Sequence, residues 1–359
     1  MNLSDQIPSS LRNNLQYTGK DALSKIGPVD IRKVIFQILC GLNVRSSTEI
    51  LTRKRIRRVC LELLLLLLKA NSNDPNFFLN LTKQASYELQ HTTKKEERLI
   101  LKWFLGLTGK GFENILRDNS ENLPHHVETY ENELNAMISY AESTYGSIKG
   151  AIAVNEAARS SITWRFLIHL FDIIGSSTLS IRGSEKSTYG KLFEKLILGS
   201  ALTILGLKFI VQTDYKDNPE NIFWLSSKND KRESDAIAIC ANERSVLFDI
   251  GFIGKGNSEI SLDKVTRFET QILHNHKKYD AATIIIVDTV GPNSKIIDMA
   301  KSIDGIIIQM SLSYWIKDLA LAIKEKTGFK SEILDISDDD VRSFISDKLK
   351  HVDFNQFLT

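Results

Sequence analysis

Two aspartates stand inside apolar runs of β character, fourteen positions apart. The stretch from Glu233 to Glu259 reads ESDAIAICANERSVLFDIGFIGKGNSE. Asp235 opens the first run, Asp235–Ile239, and Asp249 lies late in the second, Ser245–Ile253. Ala241–Arg244 between them has the polar composition of a tight hairpin connection. A carboxylate among buried aliphatic side chains is costly unless it is paired or holds a metal. A hairpin that brings two of them together therefore demands a sheet built around a charged site.

The rest of the chain supplies that setting. From Val29 to about Gly175 the apolar positions recur with helical period, over Asp30–Leu42, Glu49–Lys69, Asn76–Leu89, Lys94–Leu107, Glu128–Ser143 and Thr163–Ile174. Residues 1–27 carry Pro8, Gly19 and Gly27 and read as loose structure or a short helix. Ser176–Ser187 is rich in Ser, Thr and Gly and reads as a linker. Beyond it, Thr188–Leu205 is a helix with Ser187 as its cap, and Lys208–Thr213 and Ile222–Leu225 are strands. The aspartate hairpin follows, then a helix at Ser261–His276 and the purely apolar strand Thr283–Val287, whose β-branched run fits burial on both faces. A helix at Asn293–Ser302, a strand at Gly305–Met310 and helices at Tyr314–Lys326 and Ser337–Leu349 complete the set. The pattern predicts an α/β domain over 181–359, a mixed central sheet flanked by helices, preceded by an all-helical domain over 1–180.

Composition excludes several alternatives. With 359 residues and a formal net charge of +2, the chain can bury a large core and is no polyelectrolyte. The six leucines Leu63–Leu68 fall far short of the ~18–20 apolar residues of a membrane span. The opening MNLSDQIPSSLRNN lacks the features of an export signal. Cys40, Cys60 and Cys240 sit in apolar runs without metal-ligand spacing and read as buried free thiols of a reducing compartment. A soluble protein of the bacterial cytoplasm is the expectation.

Charge is unevenly spread. Residues 1–180 hold 22 basic against 18 acidic residues, and Arg45–Lys69 alone holds 7 against 2. Within it, Arg53, Lys54, Arg55, Arg57 and Arg58 put five cations in six positions. Such a run is either a solvated helix face or a phosphate-binding one. Gly106–Gly111 lacks the strand context of a phosphate loop and reads as a turn between helices. His125, His126, His274 and His276 have no partners at metal-ligand spacing.

A helix followed by a meander of strands, with Asp at the start of one and Asp within the next, resembles the PD-(D/E)XK nucleases. The resemblance covers Thr188–Glu269. Asp235 matches the first acid, with Ser234 in place of proline, and Asp249 matches the second. Glu194 stands where the superfamily often places an accessory carboxylate. The wording from Asp249 to Ile260 is most similar to the CfrBI-type group of type II restriction endonucleases. The resemblance implies a restriction-endonuclease-like core and Mg²⁺-dependent hydrolysis of phosphodiester bonds in double-stranded DNA at a short palindrome, CCWWGG. It further implies a homodimer, whose two-fold symmetry matches the palindrome, and a companion DNA methyltransferase. Asp235, Asp249 and Glu194 would hold the metal, because Mg²⁺ favours one or two carboxylates plus waters and phosphate oxygens.

One position departs from the pattern. The motif lysine belongs two residues after Asp249, where this chain has Gly251. Lys255 takes its place only if Gly254 and Gly256 fold the chain back, and Lys264 in the next helix is the other candidate. Two rivals remain open: a structure-selective repair or recombination nuclease, and a non-catalytic DNA-binding protein that keeps the fold.

Overall fold

The structure is a computed structural model that describes residues 2–15, 19–117, 122–154, 158–212, 220–226, 234–240, 244–251, 281–290, 300 and 305–358. The chain divides into two compact units. One comprises Met1–Thr18 and Leu51–Lys186; the other comprises Gly19–Ile50 and Ser187–Thr359. Among the described residues no helix is long and apolar enough to cross a membrane.

The first unit is mainly helical. Its elements are α1 (Leu3–Gln6), α2 (Ser9–Leu15), most of α5 (Val44–Asn73), α6 (Phe77–His91), α7 (Lys95–Phe104), α8 (Gly109–Leu116), α9 (Asn122–Tyr145) and the first half of α10 (Trp164–Ile204). Val59, Leu63 and Leu67 of α5 lie one turn apart and are fully buried, which confirms the helical stripe of the leucine run. Residues 2–15 are more ordered than their composition suggests. Leu3, Ile7 and Leu11 enter the core, and the Glu88 carboxylate accepts hydrogen bonds from the Leu3 and Ser4 amides at 2.6 and 2.8 Å. A carboxylate there satisfies amides that a helix start leaves without partners. The connection expected over Gly106–Gly111 is shorter: Gly109 already opens α8, and Thr108 caps it, its Oγ1 accepting from the Gly111 amide at 3.0 Å.

Two stretches differ from the sequence expectation. The reading of Val29 to about Gly175 as helical almost throughout assigns nothing between Ser143 and Thr163, where the structure has a β-hairpin, β1 (Gly150–Val154) and β2 (Ala158–Ile162), which pair antiparallel. Nor is Ser176–Ser187 a linker: α10 runs unbroken through it, so no helix begins at Thr188. Serine hydroxyls there bond back to their own helix, Ser177 to the Ile174 carbonyl at 2.9 Å and Ser184 to the Ile181 carbonyl at 3.0 Å. With Ile173, Ser177 and Ile181 buried, packing outweighs the low helix propensity of Gly175 and the serines.

The second unit is a six-stranded mixed sheet with helices. It holds α3 (Gly19–Ile26), α4 (Pro28–Leu39), the start of α5 and the end of α10. Then come β3 (Lys208–Phe209), β4 (Ile222–Leu225), β5 (Ala236–Ile239), β6 (Ser245–Gly251), β7 (Ala281–Val287), β8 (Ile306–Gln309), α11 (Trp315–Thr327) and α12 (Val341–Lys350). Strand order follows the sequence, β3 to β8. β4–β5–β6 is the antiparallel meander; β3 is parallel to β4, and β6, β7 and β8 are mutually parallel. The predicted class, a mixed sheet flanked by helices, is the observed one. The predicted helices at 261–276 and 293–302 lie outside the described residues, apart from residue 300.

Successive side chains alternate between the two faces of the sheet, and in β6 and β7 both faces are largely buried. Ala236, Ala238, Val246, Phe248, Ile284 and Ile286 point to one and are fully buried. Leu247, Ile285, Val287 and Ile307 pack together on the other, the face that Asp249 shares by alternation with Leu247. α11 fastens onto α4 through Trp315, fully buried, whose indole donates to the Ile38 carbonyl at 2.9 Å. Arg32 of α4 donates to the Leu349 and Val352 carbonyls at the end of α12. Gly41, at φ +86°, closes the turn after α4 where an added Cβ would stand 2.8 Å from the Leu312 carbonyl oxygen, so only glycine fits there.

Candidate active site

Register decides what the hairpin does with its acids. Ala236 of β5 pairs with Phe248 of β6. Continued one step beyond the ladder, this register sets Asp235, the residue just before β5, opposite Asp249. Directly opposed residues share a face, with Cβ atoms about 4.5–5.5 Å apart. Asp249 is buried, 7% exposed, and Asp235 is half-buried. Asp235 is also held in place: its Oδ2 accepts the Ile250 amide at 2.8 Å, and its carbonyl accepts the Ser226 amide at 3.0 Å. One carboxylate is thus tied to the backbone next to the other.

The other expected residues are placed as follows. Glu194 lies on α10 between the buried Phe193 and Leu196, half-buried and in the same unit as the sheet. Gly251 ends β6, buried, paired with Val287, and on the aspartate face it contributes no side chain. Lys255 and Lys264 lie outside the described residues, as do Lys228–Arg232. In the basic run, Arg53, Lys54, Arg57 and Arg58 are exposed on α5. Arg55 is turned inward, 7% exposed, with its guanidinium towards the Asn14 and Leu15 carbonyls at 3.4 and 3.5 Å.

Sequence reading missed a second polar cluster at this edge of the sheet. β7 ends at Val287, the partner of Gly251, and Asp288 follows it, 7% exposed. Asn43 Nδ2 donates to Asp288 Oδ2 at 2.7 Å. The same Asn43 opens α5, its Oδ1 accepting the Arg45 and Ser46 amides at 3.0 and 3.2 Å. Burial pushes the Asp288 carboxyl above its ordinary value, and the Asn43 hydrogen bond works against that shift. The available signals were an Asn ahead of a helix and an Asp closing an apolar strand. In open sheets, ligands bind outside the carboxyl ends of the parallel strands, which is where β6 and β7 deliver Asp249 and Asp288.

The donor set of the aspartate pair fits a hard cation. Asp235 and Asp249 offer oxygen ligands on one face, and the Ile250 amide hydrogen bond fixes the Asp235 carboxylate there. Among the described residues no three His, Cys, Asp or Glu side chains gather closely enough to cage an ion. Mg²⁺ is served by one or two carboxylates, with substrate phosphate and water completing its shell.

The model of the CfrBI restriction endonuclease family matches residues 29–295, a span that holds both aspartates, Glu194 and the basic run. This chain belongs to that family. Along its whole length it is 33% identical, over 373 aligned positions, to the type II restriction enzyme CfrBI of Citrobacter freundii, 99% of which is covered. No solved structure matches. Family membership makes the protein a type II restriction endonuclease, a deoxyribonuclease that acts at specific sites, and the paired aspartates lie within the part of the chain that defines the family.

Proposed function

We propose that this restriction endonuclease hydrolyses both strands of DNA at a short palindrome, with CCWWGG the site that its family resemblance implies, and depends on Mg²⁺ held by Asp235 and Asp249. The observation that carries the proposal is that Asp235, just before β5, accepts the amide of Ile250, the residue after Asp249, in a register that continues to set the two carboxylates opposite each other. Bound Mg²⁺ would neutralise charge on the scissile phosphate and lower the pKa of a coordinated water. Asp235 and Asp249 supply the anionic oxygens, and the backbone bond to Asp235 holds its carboxylate in one orientation before substrate arrives. Glu194 is proposed as an outer carboxylate that orients water. Lys255 or Lys264 is proposed to supply the cation that Gly251 cannot. The exposed cations Arg53, Lys54, Arg57 and Arg58 are proposed to bind DNA phosphates. The working form is a homodimer, acting beside a methyltransferase that protects the same site.

The test is incubation of the pure protein with phage λ DNA, with and without Mg²⁺, beside Asp249→Ala. Discrete fragments that require Mg²⁺ and vanish in the variant support the proposal, and sequencing their ends gives the site. A smear would mean structure-selective cutting. Intact DNA under every condition would refute the catalytic assignment.

A further inference from the structure

The hairpin that interrupts the helical unit has a built, asymmetric face. In its register Ala151 pairs with Ser161 and Ala153 with Arg159. All four are exposed, as is Lys149 just before β1. The alternate residues face inward: Ile152, Val154 and Ile162 pack against the helical core, and Ser160 is 1% exposed. Asn71 Nδ2 pins the ribbon from below, donating to Ser160 Oγ at 2.5 Å and to the Ser161 carbonyl at 3.4 Å. At the base, the Trp164 indole donates to the Gly146 carbonyl at 2.8 Å. The ribbon is therefore rigidly mounted, and its outward face joins two small side chains, a hydroxyl and a guanidinium. Among the described residues that face carries no acid, and Arg159 and Lys149 make no ion pair or hydrogen bond there. Residues 155–157 lie outside the described residues.

We propose that this β1–β2 ribbon enters the major groove of the DNA substrate, where Arg159 reads a base edge and Lys149 meets the backbone. The inference rests on the restriction-endonuclease reading and extends it to an element that determines specificity. Two strands about 4.8 Å apart, carrying alanine and serine outward, are narrow enough for a groove about 12 Å wide. Five residues per strand span roughly 16 Å. The small side chains let the backbone come close to the base edges. Arg159, directly across from Ala153, has clear space to present its two-pronged donor set to guanine O6 and N7. The cationic face suits a polyanion and not another copy of this same cationic ribbon.

The test compares wild type, Arg159→Ala, Arg159→Lys and Ala153→Glu for kcat/KM on the cleaved site and on duplexes altered at single base pairs. All three substitutions lie on an exposed face, so melting temperatures should match wild type. Arg159→Ala is expected to lower kcat/KM on the cleaved site by about tenfold to a hundredfold. It should shrink discrimination at one base pair by the same factor and leave the other positions unchanged. Arg159→Lys keeps the charge and should fail to restore that discrimination. Ala153→Glu should abolish binding. Equal losses on all duplexes would reduce Arg159 to a phosphate-binding residue and overturn the proposal. So would unchanged ratios, or a change in sedimented mass without a change in discrimination. A wild type that cuts nowhere would instead bring down the nuclease reading, and this proposal with it.

Discussion

The metal ligation proposed for Asp235 and the hydrogen bond it accepts are separable, and substitutions can divide them. Its Oδ2 accepts the Ile250 amide at 2.8 Å, and Ile250 is fully buried. Asp235→Ala removes that acceptor; Asp235→Asn keeps a carbonyl oxygen in its place but loses the charge. A hydrogen bond to a charged group contributes about 1.5–3 kcal/mol, and a buried amide deprived of its acceptor costs about 1–3 kcal/mol. Asp235→Ala should therefore destabilise the sheet unit by about 1–3 kcal/mol. For a unit of roughly 200 residues that is a fall in melting temperature of about 2–12 °C. Asp235→Asn, with a weaker but intact bond, should stay within about 1 kcal/mol of wild type. Cleavage should respond differently. Loss of groups that merely support a metal ligand costs about tenfold to a hundredfold, so loss of a ligand's charge should cost at least a hundredfold in both variants. Calorimetry and single-turnover cleavage of plasmid DNA measure the two effects on the same samples. An Asp235→Asn enzyme that cuts at the wild-type rate would refute the catalytic role. An Asp235→Ala protein as stable as wild type would refute the structural one.

Burial divides the basic run and sets a pH dependence elsewhere. Replacing Arg53, Lys54, Arg57 and Arg58 together by Ala should weaken DNA binding and flatten its dependence on salt, by about 0.9 in log–log slope for each phosphate no longer neutralised. Arg55→Ala should lower the melting temperature and leave that slope unchanged, because Arg55 is buried against the end of α2; an equal slope change in both proteins would refute the assignment. His169 is fully buried in the helical unit, and burial first, then the Arg165 charge, lowers its pKa to about 4. The unfolded chain takes up this proton near pH 6.5 and the folded one only near 4. The contribution of neutral His169 is thus complete above about pH 6.5 and is lost as pH falls towards 4, about 3 kcal/mol in all. Urea titrations across that range should show a shallower fall for His169→Leu than for wild type; parallel curves would contradict it.

The aspartate hairpin was legible because its signal is local. Period-2 apolar runs, a polar turn and two misplaced carboxylates need only about twenty residues to be seen, and turn length then sets the register that opposes Asp235 to Asp249. The leucine helix and the strand read over Thr283–Val287 were equally plain. The β1–β2 ribbon was harder to see, because Ala-Ile-Ala-Val lies between long helices and alanine favours neither reading strongly. The linker reading failed for a related reason: Gly and Ser lower local helix propensity, but Ile173 and Ile181 bury into a core that only the folded unit supplies.

The sequence by itself determined most of the element types, the acidic pair and, through its wording, the family, since these rest on neighbours along the chain. Tertiary structure alone decided which of five adjacent cations turns inward and which acids beyond the motif gather at the sheet edge. It also decided that residues 19–50 complete the sheet unit. Asn43 and Asp288 are 245 positions apart and meet at 2.7 Å. Such a pairing has no trace in local propensity, because it exists only once α5 starts beside the end of β7 and the buried Asp288 carboxylate takes the Asn43 amide as its partner.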